Sequence, residues 1–112
     1  MSQWTDICKQ SHLTPNTGIC AQFNQQQVAI FFCQRQQSLY AVSNYDPIGD
    51  ANVISRGMMG SIESDLYVSS PLYKQHFHLE TGLCLENPEH RLKTYLVRVS
   101  NDMVQLREAS SI

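Results

Sequence analysis

Short runs rich in Val, Ile, Phe and Tyr recur along this chain, each closed by a polar turn, and helical apolar spacing is hard to find anywhere. This pattern predicts an antiparallel all-β domain. "GICAQF" places Ile19, Ala21 and Phe23 on one face. After a polar turn at 24–27, "VAIFFC" is apolar on both faces, as a central strand covered on both sides should be. A second turn, "QRQQS", leads into "LYAVS" and completes a three-stranded meander over 19–43. Towards the other end, "LKTYLVRVSNDMVQLRE" sets Tyr95, Val97 and Val99 on one face. The chain then turns at Ser100, Asn101 and Asp102 and returns with Val104 and Leu106 inward, as a hairpin.

Between these two regions the alternation breaks down. Over 44–64, "NYDPIGDANVISRGMMGSIES" is rich in Gly and Pro and predicts a long loop region, which in a compact domain is usually functional. "LYVSS" resumes β character, a loop passes through Pro71, and "QHFHLETG" puts Phe77 and Leu79 on one face with His76 and His78 on the other. The predicted architecture is a single antiparallel β-sandwich or small barrel over 1–112, with two loop excursions, 44–60 and 69–76, at one end. The Gln25–Gln26 turn is expected at the opposite end.

Composition narrows the function. A chain of 112 residues suits one domain able to bury roughly 60 to 70% of its unfolded surface. The net charge is −2 and the eight Lys and Arg are scattered, so there is no basic stripe for nucleic acid. The longest apolar run, 28–33, is far short of the roughly 20 residues of a membrane span. The start, "MSQWTDICKQ", lacks the features of a signal peptide. A cytoplasmic protein is expected, with neither nucleic acid nor membrane as partner. Cys8, Cys20, Cys33 and Cys84 form no C-x-x-C, which predicts reduced thiols packed as small apolar groups and no zinc site.

"LYAVSNYDPIG", "VSSPLYKQHFHLETG" and "LKTYLVRV" together resemble the Rieske iron-sulfur fold, over about 39–99. The first cluster loop of that family reads roughly N-x-C-P-H-x-G, and the second C-P-x-H-G-W-x-F-D-L-x-T-G. The resemblance puts Asp46 and Ile48 at the first loop's cysteine and histidine, around Pro47. It puts Ser70 and Tyr73 at those of the second, around Pro71, with "FHLETG" completing the motif. A Rieske cluster takes two thiolates on one iron and two imidazoles on the other, and these four residues supply neither. Pro47, Ile48, Pro71 and Leu72 are expected to fill the vacated space.

Within the fold, "NYDP", "ANVISRG" and "SPLYKQHF" are similar to the small subunits of NAD(P)H-dependent assimilatory nitrite reductases. The chain has no G-x-G-x-x-G and no Cys array, so no cofactor is expected on it. The resemblance implies as partner a large subunit carrying FAD, siroheme and a 4Fe-4S cluster, on which nitrite is reduced to ammonium. It further implies that the chain contributes no catalytic residue and docks through Tyr45, Leu72, Tyr73, Lys74 and Gln75 at the loop tip. The alternative is a free-standing interaction or small-ligand protein that shares only the fold. Single residues carry weaker alternatives. His76 and His78 have the spacing of a metal pair, set against solvated or hydrogen-bonded side chains. Asp46 is a candidate acid or base, set against an Asx turn. Tyr73 is a proton donor or an interface anchor. Arg56 is an anion contact or a surface charge, and Met58 and Met59 are core filler or an adaptable contact surface.

Overall fold

Asn24 and Gln25, and likewise Asn101 and Asp102, lie in the left-handed region, with φ of 51, 67, 52 and 64°. Two consecutive residues of this kind close a hairpin with the twist its strands require. The computed structural model describes residues 3–109. It begins with β1 Thr5–Lys9, β2 Gly18–Phe23, β3 Gln26–Cys33 and β4 Ser38–Ser43. The central region holds the short pair β5 Tyr45–Asp46 and β6 Ala51–Asn52, then β7 Met58–Ile62, β8 Asp65–Ser69 and β9 His76–His78. The hairpin β10 Thr94–Ser100 and β11 Met103–Glu108 ends it.

Six strands form one antiparallel sheet in the order β1-β11-β10-β4-β3-β2, curled into a nearly closed barrel with β1 beside β2. The Asn24 amide donates to Glu108 Oε2 at 2.9 Å, tying the β2–β3 turn to the end of β11. Strands β7, β8 and β9 make a second, three-stranded sheet.

The two apolar faces of β3 account for the two cores. Val28 and Ile30 point into the barrel with Phe23, Tyr95, Val104 and Leu106. Ala29 and Phe31 point the other way, into a cluster with Ile54, Val68, Phe77, Leu79 and Leu92 that joins barrel to second sheet. Each of those four β3 side chains is fully buried, so the continuous apolar run is that of a strand covered on both sides.

The predicted meander, terminal hairpin and paired excursions are all present, and three features differ. The first turn is confined to Asn24 and Gln25, because β3 already starts at Gln26. The stretch expected as loop over 44–64 contains β7, paired with β8 from Met58↔Ser69 to Ile62↔Asp65. Most side chains of this edge strand are exposed and Gly60 faces open space, so it has no apolar alternation to read. Strand β1 was hidden differently. Its register on β11 shifts between Asp6 and Cys8, which puts Ile7 and Cys8 next to each other and breaks the period of two.

Candidate functional site

The excursions meet at Asp46 and Ser70, both fully buried. Asp46 Oδ1 accepts the backbone N–H groups of Ile48 at 2.8 Å and Gly49 at 3.0 Å, the Asx turn foreseen for it. Its other oxygen accepts the Ser70 hydroxyl at 2.5 Å. Ser70 Oγ in turn accepts the Leu72 N–H at 3.3 Å, and the Ser70 backbone closes its own loop through Gln75 and Lys74. Each loop is therefore shaped by local hydrogen bonds, and one buried side-chain bond clasps the two together. The loops also touch where Leu72 lies over Gly49: a Cβ on Gly49 would come 2.4 Å from Leu72 Cδ1.

The expected apolar fillers behave differently. Ile48 is half-buried and packs on the cluster between the sheets, and Pro47 is also half-buried. Pro71 and Leu72 are exposed, Leu72 at 44%. The fully buried side chains where the loops meet are instead the polar pair Asp46 and Ser70, whose carboxyl accepts three donors.

Of the five residues assigned to docking, Tyr45, Leu72, Tyr73 and Lys74 are exposed, with Tyr73 the most open at 64%. Gln75 turns partly inward, where its Oε1 lies 3.5 Å from Cys84 Sγ. Tyr45 is hydrogen-bonded through its hydroxyl to Asp50, and this bond holds its proton and pushes its pKa up. The Gln25–Gln26 turn lies at the same end as Tyr45, contrary to expectation, because Asn44 bonds Gln27 where β4 leaves the sheet. Gln25, Gln26, Tyr45, Pro47, Arg91 and Lys93 line one groove of about 570 Å³ there.

The remaining candidates resolve locally. His76 Nδ1 lies 2.5 Å from Glu86 Oε2, and His78 accepts the backbone N–H groups of Glu80 and Thr81. Burial works to raise Glu86, and the hydrogen bonds from His76 outweigh it, holding the carboxyl below its ordinary value. Among the described residues, no group of three or more His, Cys, Asp or Glu is placed to hold a metal ion. Met58 is 76% exposed while Met59 packs on the core, so each member of the pair takes one of the two roles considered. All four cysteines are free, with Cys33 and Cys84 buried, and burial pushes the Cys84 thiol up.

The family of Rieske-like [2Fe-2S] domains matches residues 3–107. The nitrite reductase (NADH) small subunit of Escherichia coli K12 is 45% identical over 107 residues, covering 96% of this chain and 99% of that protein. The chain belongs to the nitrite reductase small-subunit family of Rieske-like domains. The solution structure of the E. coli protein NirD superposes with a TM-score of 0.89 at 44% identity, covering 98% of this chain and all of that one. A nitrite reductase [NAD(P)H] large subunit of Klebsiella oxytoca is 35% identical over 101 residues, which cover 90% of this chain but 10% of that much longer protein.

The family's cluster does not fit these residues. Ile48 has no lone pair, and Asp46 and Ser70, at the two cysteine positions of the motif, are hydrogen-bonded to each other instead of facing an iron. What sequence reasoning missed is this pairing. Its members are 24 residues apart, and nothing in local pattern joins them. The signal lay in the motif alignment: two positions that share one iron in the family carry here a hydroxyl donor and a carboxyl acceptor.

Proposed function

We propose that this protein is the small subunit of a cytoplasmic NADH-dependent nitrite reductase, and that it docks on a large subunit bearing FAD, siroheme and a 4Fe-4S cluster. Nitrite is reduced to ammonium on that partner, and this chain holds no cofactor and no catalytic residue. The observation that carries the reading is 45% identity along essentially the whole of an NADH nitrite reductase small subunit. The Klebsiella protein supports it, since there a similar domain is part of the large chain itself. Among the described residues no helix is long and apolar enough to cross a membrane, which suits the location proposed.

Docking runs through the loop tip. Tyr73 is a large amphipathic side chain held open on a loop whose backbone is fixed by the clasp, as an interface anchor should be. Truncating one such anchor costs about 2 kcal/mol or more, roughly thirtyfold in affinity. The test is co-purification with the large subunit and NADH-dependent nitrite reduction by the mixture. Tyr73→Ala with Lys74→Ala should weaken both and leave the thermal midpoint of the isolated chain nearly unchanged. Arg35→Ala, on the β3–β4 turn at the far end of the sheet, should change neither. Wild-type affinity in the loop variant would move the docking face elsewhere. Failure of the wild-type chain to bind any large subunit would favour a free-standing protein.

A further inference from the structure

The chain carries a net charge of −2, yet the charged side chains lining the groove beside the loop tip are both cationic, Arg91 and Lys93. Lys93 is in part committed, 2.8 Å from Glu108 and over the Tyr95 ring. Arg91 is exposed, and among the described residues its guanidinium makes one long hydrogen bond, 3.4 Å to the Thr81 carbonyl. The facing wall, from the β2–β3 hairpin, presents glutamine amides, and Tyr45 and Pro47 continue the groove into the loop tip. A guanidinium with free donors beside neutral amides is the chemistry that pairs with carboxylates and with extended backbone.

The path of the chain points the same way. Glu108, at the end of β11, bonds both Asn24 in the hairpin turn and Lys93 in the groove. Thr5, at the start of β1, pairs with Leu106, so both described ends of the domain emerge at this rim. In the Klebsiella large subunit the matching region is 10% of the protein, and the remainder must connect through one or both of these ends. The larger part of that protein therefore departs from beside this groove.

We propose that the groove receives an acidic segment of the cofactor-bearing large subunit, a contact additional to the loop tip. It rests on the small-subunit reading. Such a contact weakens as salt screens it.

The test is the affinity of the purified small subunit for the purified large subunit, measured at about 50 mM and about 300 mM salt. Wild-type binding should fall with salt. Arg91→Glu with Gln25→Glu should weaken it about tenfold or more at low salt and flatten the salt dependence. Arg35→Glu, on the far turn, should bind as wild type. Gln25→Lys should tighten binding severalfold, a gain that misfolding cannot produce. If the wild-type chain does not bind the large subunit at all, the small-subunit reading falls and the groove contact with it. If it binds, but the Arg91→Glu/Gln25→Glu variant and Gln25→Lys both bind as wild type, the groove contact alone is overturned.

Discussion

Removing one oxygen atom tests whether the clasp holds the loops. Ser70→Ala deletes the hydroxyl that donates to Asp46 at 2.5 Å and accepts from the Leu72 N–H, and it leaves an acceptor lobe of a fully buried carboxyl facing a methyl group. Losing a hydrogen bond to such a group costs about 1.5 to 3 kcal/mol, and both partners are fully buried. The expected loss is about 2 kcal/mol, or roughly 8 to 16 °C in the midpoint of a domain this size. Asp46→Ala should cost more, because the Ile48 and Gly49 N–H groups lose their acceptor as well. Asp46→Asn should cost least, since its carbonyl oxygen keeps both backbone donors and the Ser70 hydroxyl can rotate to accept from the amide. The assay is urea unfolding of the three single variants and of Asp46→Ala with Ser70→Ala, read as a double-mutant cycle. A direct bond predicts a coupling of about 1 to 3 kcal/mol. A Ser70→Ala cost within about 0.5 kcal/mol, the scale of an ordinary surface substitution, refutes the reasoning. So does an additive cycle.

Three further outcomes follow from the geometry. Gly82 has φ of +82° and its absent Cβ would fall 2.1 Å from the Leu92 carbonyl oxygen, backbone against backbone; Gly82→Ala should cost about 3 kcal/mol or more by urea unfolding. Gly49→Ala drives a methyl group towards the movable end of Leu72, so its cost, about 1 kcal/mol by the same assay, should fall in a Leu72→Ala background, leaving the part due to Asp46 Oδ2 at 3.1 Å and the Leu72 Cβ at 3.3 Å. The hydrogen bonds from Lys93 and Asn24 hold Glu108 below its ordinary 4.5, so the stability it contributes is present above that pH and is lost as pH falls through the lower folded value. Lys93, raised above 10.5 first by its bond to Glu108, contributes fully below that pH and loses its share at higher pH. Melting scans from pH 7 to pH 3 should therefore show a shallower acid decline for Glu108→Gln than for wild type.

The barrel was legible because its strands obey a period of two and its turns use residues tolerant of left-handed angles; β3, apolar on both faces, even announced its place between two cores. Strand β1 was not legible, since the irregularity between Asp6 and Cys8 defeats the pattern that reveals a strand. Strand β7 was hidden by its exposure at an edge. At the loops, the motif alignment singled out Asp46 and Ser70, which the structure brings together, and Asp46 itself suggested its Asx turn, but an apolar plug was expected between the loops. Composition alone cannot show that a carboxyl and a hydroxyl from separate loops will face each other. The placement of Gln25 and Gln26 failed for a related reason: which end of a sheet a turn occupies depends on strand pairing, here Val28↔Ser43, and not on anything in the turn.

A domain whose loops are pinned by a metal centre is complete only when that metal is delivered, and chelators take it apart. Here the pin is a Ser–Asp bond translated with the chain. Iron starvation, aeration and chelation should consequently leave the yield and the urea midpoint of this protein unchanged. In the proposed reductase, a need for iron would then fall on the large subunit alone. The small subunit becomes a constant component, ready in the cell before any cofactor has been assembled.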